Sequence, residues 1–349
     1  MIKKIYSGKW GKCHCQGFAV DKERKFVYYS FTTKLIKADM QGNIVGSVDN
    51  ILGHLGCIDY CDQDGKLYCS LEYKNDEIGR GILRSLGYDE KNLQDGFYIA
   101  MFDVEKIDHI GMNAETDGVM RAVYLPTVAT DFAGTTKNGT AHIHGCSGID
   151  GITIGRDFGG EENYLCVCYG VYRDESRKDN DYQVILQYDY RDFWEIGKPL
   201  SQNDMHKVGP SEPRNKFFVY TGNTTYGIQN LEYDEATGNY FVFVYNGTKP
   251  QFPNYSTFVI DGKVAPKTEL LKGYDGETGK VLSLVECGET VSGVSGFNCA
   301  YGSMGAYSLG NGKFYLIVPE ENFDPNDWAV NATLFRLDKS NKVWNFIED

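Results

Sequence analysis

Gly17-Phe-Ala-Val-Asp21 and Phe26-Val-Tyr-Tyr-Ser-Phe31, joined by the polar residues 22–25, form the stretch that decides the fold. Apolar and aromatic residues fill both short runs, and charged residues fill the gap between them. Two such runs separated by a short polar turn are typical of an antiparallel β-hairpin. Residues 34–39 and 43–48 follow with the same spacing, so the sequence predicts a four-stranded meander.

The same order of elements recurs four more times along the chain. In each unit a glycine opens the first strand, a tight polar turn follows, and an aromatic-rich second strand comes next. The first strands open at Gly17, Gly56, Gly148, Gly227 and Gly305. One four-stranded sheet cannot bury both of its faces, so repeated sheets of this kind pack around a common axis. The pattern therefore predicts an all-β fold, a five-bladed β-propeller of four-stranded antiparallel blades.

We predict that residues 1–349 form a single propeller domain. The predicted blades span roughly 13–50, 54–113, 146–200, 226–286 and 304–349. Within the second blade, residues 97–103 and 106–112 are expected to be the third and fourth strands. Six blades are the alternative, because residues 115–145 have a poor strand pattern in which a further blade could lie.

Composition excludes several classes of function. The formal net charge is −13 and no run of Lys and Arg forms a basic stripe, so we expect neither nucleic acid nor a membrane surface as a partner. No apolar run approaches the ~20 residues that span a bilayer. Residues 1–10 lack the apolar core of a signal peptide, so we expect a cytoplasmic protein. The ten cysteines include no Cys-x-x-Cys pair, which favours buried reduced thiols.

The five repeated meanders resemble the five-bladed β-propeller superfamily, from about Gly17 to the end of the chain. The resemblance is one of topology, since the sequence has neither a Trp-Asp dipeptide repeat nor an Asp-box series. That superfamily includes glycosidases with carboxylates at the channel mouth, calcium-dependent nucleotidases, cyclotransferases and lectin-like binders. The resemblance implies the fold without selecting one of these functions.

The long connections of the predicted blades fall on one face. The connections between strands two and three, and those between blades, vary in length, whereas the other turns are short. In an up-and-down meander these two kinds of connection lie on the same side. Long loops on a rigid scaffold are where binding and catalysis usually occur. We therefore expect the functional site at the mouth of the central channel on this face.

Four of the six histidines lie in segments predicted to surround that mouth, at His14, His54, His142 and His144. His14, His54 and His144 could hold a divalent metal ion, because imidazole nitrogen is a common metal ligand. Without a metal, His54, His142 and His144 could act as general acids or bases, because histidine titrates near neutral pH. Both interpretations stay open at this stage.

Further polar residues belong to the same predicted site. Asp150 could tune or orient a histidine, and Tyr226 could pair with one, so both join the expected catalytic groups. The residues predicted to contact the substrate lie at strand ends or just before strands on the same face and are Gln16, Glu72, Arg173 and Glu320.

The sequence thus predicts an enzyme, a hydrolase or a lyase, that acts on a small polar or carbohydrate substrate at the channel mouth. Its histidines would serve as metal ligands or as general acid and base. The alternatives are a non-catalytic ligand- or glycan-binding propeller and a protein-interaction scaffold. A large exposed apolar patch on the loop face would favour the scaffold.

Overall fold

The computed structural model describes residues 1–90 and 93–349. Strands dominate the secondary structure of this part of the chain. In chain order they are β1 (Lys4–Tyr6), β2 (Cys15–Val20), β3 (Phe26–Phe31), β4 (Lys34–Asp39), β5 (Ile44–Asp49), β6 (His54–Cys61), β7 (Lys66–Tyr73), β8 (Gly96–Phe102), β9 (Met112–Asn113), β10 (Met120–Tyr124), β11 (Cys146–Arg156), β12 (Asn163–Val171) and β13 (Tyr182–Tyr188). They continue as β14 (Asn215–Tyr220), β15 (Thr225–Asp234), β16 (Asn239–Tyr245), β17 (Thr257–Ile260), β18 (Lys267–Leu270), β19 (Thr278–Val281), β20 (Thr290–Val291), β21 (Val294–Ser295), β22 (Ala306–Gly310), β23 (Lys313–Pro319), β24 (Val330–Asp338) and β25 (Asn345–Glu348).

Helical segments are short and lie in the connections. The α-helices are α1 (Glu77–Leu86), α2 (Pro126–Ala133) and α3 (Phe193–Ile196), and 3₁₀ turns occur at Val104–Lys106 and Ile143–Gly145. Asp76 caps the start of α1 by accepting a hydrogen bond from the Gly79 N–H, and Gly87 ends the helix in a left-handed conformation. In the described part of the chain, no helix is long and apolar enough to cross a membrane.

Five sheets follow one another along the chain and close into a ring. Their strand orders are β2-β3-β4-β5-β9, β6-β7-β8-β10, β11-β12-β13-β14-β19-β18, β15-β16-β17 and β22-β23-β24, the last extended by β1 and β25. The innermost strands β2, β6, β11, β15 and β22 contact one another in cyclic order. The predicted five-bladed β-propeller is therefore confirmed, although the number of strands varies from blade to blade.

The core consists of five hydrophobic clusters, one between each pair of neighbouring sheets. In the cluster between the first two sheets, Tyr28 and Leu35 pack with Leu67 and Ala100. Successive side chains of a strand point to opposite faces, so each sheet supplies one face to each of its neighbours. Burial on both faces explains why second strands such as β3, β12 and β16 contain nearly continuous apolar runs rather than alternating ones.

The two ends of the chain meet in the fifth sheet. Strand β1 pairs antiparallel with β24, with Lys4 opposite Thr333 and Tyr6 opposite Asn331. Strand β25 pairs with the other half of β24, where Phe335 lies opposite Glu348. The ring is therefore closed by pairing between residues from opposite ends of the sequence, a contact that the repeat pattern does not reveal.

The outer strands differ from the prediction. Residues 106–112 do not form the fourth strand of the second sheet, because Val104–Lys106 is a 3₁₀ turn and β9 pairs in parallel with β5 of the first sheet. The fourth strand is instead β10, which pairs with β8. It lies within residues 115–145, where a sixth blade was the alternative. Strands β18 and β19 follow β17 of the fourth sheet in the chain but do not join that sheet. They extend the third sheet instead, through parallel pairing of β19 with β14.

Candidate functional site

A cavity of about 550 Å³ opens at the centre of the face that carries the long connections. The first residues of β2, β6 and β15 reach its walls, together with β11 and the end of β7. Helix α1, in the insertion between β7 and β8, covers one side through Ile78 and Ile82. The site is therefore built from inner strands of a rigid ring with one helical wall.

Two features of the strands aim side chains into this cavity. His54 begins β6 and lies opposite Glu72 of β7, so two polar side chains come from paired positions. Strand β11 has a β-bulge between Ile149 and Ile152, which contains Asp150. Bulges redirect side chains at strand ends and beside functional sites. Asp150 accordingly lines the central cavity.

A buried ion pair forms part of the wall. Lys74 Nζ lies 2.6 Å from Glu72 Oε1, and the two residues are only 8% and 5% exposed. Lys74 also donates to the Ser147 carbonyl oxygen at 3.0 Å, and Glu72 Oε2 accepts from the Ile149 N–H at 2.9 Å. Burial raises the pKa of Glu72, and the charge of Lys74 opposes that rise. Burial alone would lower the pKa of Lys74, but the charge of Glu72 outweighs this effect, so the pKa of Lys74 is raised. The two charges therefore stabilise each other inside the protein.

The carboxyl group of Asp150, in contrast to the charged Glu72 carboxylate, is favoured in its neutral form. Burial raises its pKa well above the ordinary value, and the negative charge of Glu72 raises it further, against smaller effects of Lys74 and Gln229. Its Oδ1 atom is buried and has no hydrogen-bond partner among the described residues. These conditions favour the neutral, protonated acid.

His54 is also held neutral. Burial lowers its pKa to about 3, with further lowering by the charges of Lys74 and His14. Its Nδ1 atom is buried and lacks a hydrogen-bond partner within residues 1–90 and 93–349. Buried polar atoms are nearly always hydrogen-bonded, so an exception needs an explanation. Here two such atoms, Asp150 Oδ1 and His54 Nδ1, belong to residues that line one cavity.

Aromatic rings surround the mouth. Tyr226 and Tyr245 are exposed, and their ring centroids lie 6.3 Å apart in a T-shaped arrangement. Tyr226 has a left-handed backbone with φ 65°, which is uncommon for a residue other than glycine. On another side, His14 stacks on Trp328 with 4.1 Å between the ring centroids. The rim can therefore contact the apolar face of a ring-shaped ligand.

The structure does not bring the predicted histidines together. His14 and His54 line the central cavity, but His142 and His144 do not. His142 Nδ1 lies 2.6 Å from the Phe132 carbonyl oxygen, and His144 Nδ1 lies 3.5 Å from Asp131 Oδ2, so both occupy the outer part of the third blade. The predicted placement of His142 and His144 at the channel mouth is therefore wrong.

The reason lies in the backbone before β11. His142 and His144 have φ angles of 65° and 55°, in the left-handed region, and residues 143–145 form a 3₁₀ turn. The alternation of a strand therefore does not apply to them. The predicted metal ligands His14, His54 and His144 are consequently separated, and within the described residues no group of three or more His, Cys, Asp or Glu side chains is arranged to hold a metal ion.

Of the other predicted site residues, four line the central cavity and two do not. Gln16, Glu72, Asp150 and Tyr226 line the central cavity. Arg173 lines a shallow cavity beside residues 140–142, away from the centre. The backbone N–H of Glu320 bonds to the Ala329 carbonyl in the connection between β23 and β24, and Glu320 does not line the central cavity. Both of these residues follow second strands that end at the outer part of the loop face.

Sequence reasoning missed several residues of the site, namely Lys74, Gln229, Tyr245 and those of α1. One signal was available for Lys74, because Glu72 and Lys74 are two residues apart and side chains at that spacing share one side of a strand. Gln229 lies between Ile228 and Asn230, and Tyr245 ends the apolar run of residues 240–244, so neither stands out in the sequence. Only the closing of the ring places their side chains beside Asp150.

No protein-family model and no curated protein matches the sequence. Similar solved structures include the PQQ domain of pyranose dehydrogenase from Coprinopsis cinerea, with 11% identity, 90% of this chain and 81% of that chain covered, and a TM-score of 0.41. A GH43 β-1,3-galactosidase with galactodeoxynojirimycin has 9% identity, 96% and 95% coverage and a TM-score of 0.43. The β-propeller domain of Cps50 (Swd1) from Myceliophteria thermophila has 7% identity, 91% and 83% coverage and a TM-score of 0.33. Likeness at this level carries no argument about the function of this chain.

Proposed function

We propose that the protein is an enzyme that cleaves a carbon–oxygen bond in a small polyhydroxylated substrate, with Asp150 as the proton donor. The observation that carries the proposal is the buried Asp150 Oδ1, which lacks a hydrogen-bond partner among the described residues and belongs to the same cavity as His54. A carboxyl group that stays protonated near neutral pH is suited to general acid catalysis.

The reaction is a hydrolysis in which the proton returns to its donor. The Asp150 carboxyl group gives its proton to the leaving oxygen of the substrate while the bond from that oxygen to carbon breaks. Water forms the new bond to carbon and gives a proton to the Asp150 carboxylate. The net change is the addition of one water across the broken bond, and the enzyme is regenerated.

The neighbouring polar residues have positioning roles. The negative charge of Glu72 favours the protonated form of Asp150, and Lys74 holds Glu72 in place at 2.6 Å. Neutral His54 lines the same cavity, where its ring can contact a substrate hydroxyl, a group that both donates and accepts hydrogen bonds. Tyr226 and Tyr245 supply exposed ring surfaces at the rim for the C–H face of a sugar ring.

The test compares wild type with Asp150→Asn on a panel of neutral oligosaccharides and nitrophenyl glycosides. Turnover of oligosaccharides should fall by about 10²–10⁴-fold, the usual contribution of a general acid. The loss should be smaller on nitrophenyl glycosides, because nitrophenolate leaves without a proton. Wild-type activity should also decline as the pH rises through the pKa of Asp150, because the acid must be protonated. Asp108→Asn, at an exposed position outside the site, is the matched control.

Two outcomes would contradict the proposal. Equal turnover by wild type and Asp150→Asn on every substrate would remove Asp150 as the proton donor. If wild type turns over no substrate while a sugar shifts the ring NMR signal of His54, the cavity binds without catalysis. That second result would favour the non-catalytic glycan-binding alternative.

A further inference from the structure

A second cavity, of about 970 Å³, lies beside the third sheet and shares no lining residue with the central one. Three segments form its walls: residues 135–144 after α2, residues 174–179 between β12 and β13, and residues 270–277 between β18 and β19. It contains His144, a residue of the sequence motif before β11 that the central site does not use. The reaction proposed for Asp150 therefore does not account for this cavity.

His144 is held in this cavity by a strained and firmly anchored segment. Its φ angle is 55°, in the left-handed region that residues other than glycine rarely adopt. Arg177 donates to the carbonyl oxygens of Ala141, at 2.7 Å, and of His142, and its guanidinium is paired with Asp179 at 2.5 Å. Backbone strain that the surrounding contacts maintain in this way is concentrated at functional sites.

The imidazole of His144 lies between two carboxylates. Its Nδ1 atom is 3.5 Å from Asp131 Oδ2, and its Nε2 atom is 3.9 Å from Glu277 Oε2. Tyr169 Oη and Lys216 Nζ donate to the same oxygen of Asp131, at 2.7 and 2.5 Å, and fix it. Each ring nitrogen of His144 therefore faces a carboxylate oxygen, and the ring borders the cavity together with Glu277. The Glu277 carboxylate, which also lies 3.6 Å from Lys137 Nζ, presents an acceptor to the cavity.

Two polar atoms of this cluster lack hydrogen bonds to the described residues, His144 Nδ1 and Tyr274 Oη. Both residues are buried, and Tyr274 contributes a phenol that can donate one hydrogen bond. A ligand that completes the cluster would accept from Tyr274 Oη and donate to the Glu277 carboxylate beside the His144 ring. A hydroxyl group does both, whereas an ammonium group only donates and a carboxylate only accepts.

The charges of the walls also favour a neutral ligand. Four basic and four acidic side chains line the cavity, so their formal charges cancel; they are Lys137, Arg177, Lys178, Lys272, Asp174, Asp179, Asp275 and Glu277. Hydroxyl groups of Thr135, Thr136, Thr140 and Ser176 add further polar contacts. Leu270 is 66% exposed and offers an apolar surface to the C–H groups of a ring.

We propose that this cavity is a second ligand site, which binds a small neutral polyhydroxylated molecule through His144, Glu277 and Tyr274. It is independent of the reaction proposed for Asp150, because the two cavities have separate walls. A sugar bound here would occupy the outer side of the third blade while the central cavity stays free.

The test uses the full chain with ¹⁵N-labelled histidine rings and the neutral probes glucose, galactose and sucrose. At least one probe should shift the ring signals of His144, assigned with His144→Gln, in a saturable way. Glu277→Ala and Tyr274→Phe should each weaken that binding about 5-fold, the effect of losing one hydrogen bond. Glu277 has a side chain that is 41% exposed, so its substitution is compatible with folding. Tyr88→Phe, at an exposed tyrosine elsewhere, is the matched control and should leave the affinity unchanged.

Three results would overturn the proposal. The His144 signals show no saturable shift with any neutral probe, or Glu277→Ala and Tyr274→Phe both bind as wild type, or only the charged probes glucosamine and glucuronate bind. The His54 signals report the central cavity in the same spectra. A failure at His144 is therefore distinguishable from a failure of the function proposed for Asp150.

Discussion

Replacing Lys74 with Met should destabilise the protein strongly, because it leaves the Glu72 carboxylate buried without its counter-charge. At the observed 2.6 Å the attraction between the two charges is about 6 kcal/mol for an effective dielectric constant of about 20. Part of that attraction offsets the cost of burying both ions. Removing one partner of a buried pair usually costs about 3–5 kcal/mol, which is the loss we expect in the free energy of unfolding.

The assay is urea unfolding followed by far-ultraviolet circular dichroism. Glu72→Gln combined with Lys74→Met should recover much of the stability, because the uncompensated charge is then absent. Lys4→Met is the control, since Lys4 and its partner Glu348 are about half exposed and such pairs contribute less than about 1 kcal/mol. A large loss in Lys74→Met and a small one in Lys4→Met would show that burial of the ion pair, rather than the loss of a lysine, causes the destabilisation.

The pH dependence has a definite sign. Burial raises the folded-state pKa of Glu72 above its ordinary value of 4.5, and Lys74 opposes that rise. Without Lys74 the folded-state pKa rises further, so stability is lost as the pH increases through it. The deficit of Lys74→Met should therefore be largest at neutral pH and shrink as the pH falls below 4.5. A Lys74→Met variant whose free energy of unfolding lies within about 1 kcal/mol of wild type, or a double substitution that recovers nothing, would contradict this role of the buried pair.

Two further predictions concern the walls of the central cavity. Gly148→Ala should lower the free energy of unfolding by about 2–3 kcal/mol, because φ is 123° and an added Cβ would collide with the Glu72 carboxylate. Gly111→Ala, with φ 87° and open space around it, should cost only about 1 kcal/mol in the same thermal unfolding assay; equal losses would show that the collision is not the cause. Trp328→Ala should raise the pKa of His14, which burial lowers, towards its ordinary value of 6.5, as followed by NMR titration. Trp194→Ala, on the outer side of another blade, should leave the His14 titration unchanged, and an unmoved pKa in Trp328→Ala would mean that the stacked ring does not desolvate His14.

The inner strands of the propeller could be predicted from the sequence because their signals are local. Each inner strand opens at a repeated glycine and leads through a short polar turn into an apolar second strand, such as residues 26–31 or 240–244, that must be buried on both faces. A ring of packed sheets provides that burial. The outer strands could not be placed in this way. Strand β10 is a five-residue segment that is recognised as a strand through its pairing with β8. Strand β1 pairs with a strand from the other end of the chain.

The residues of the candidate site also differ in whether the sequence places them correctly. Asp150, Glu72 and His54 were expected on the loop face, and each lies in the central cavity because it belongs to an inner strand or its neighbour. His144 was expected beside them but lies in another cavity. Its displacement depends on a left-handed backbone that residues far along the chain, such as Arg177, hold in place.

The sequence by itself therefore determined the repeated blade and the face that carries the long connections, because these depend on apolar periodicity and loop length. The structure decided between five blades and six, because it makes residues 120–124 the fourth strand of the second sheet. The tertiary structure alone decided which polar side chains meet. Contacts such as Glu72 with the backbone of Ile149 join different blades, and burial then assigns different roles to similar groups. One carboxylate, Glu72, is paired with a lysine, whereas Asp150 lies next to that charge with one oxygen unpaired among the described residues. Their difference arises from desolvation and neighbouring charge, which depend on distances in space rather than on positions in the sequence.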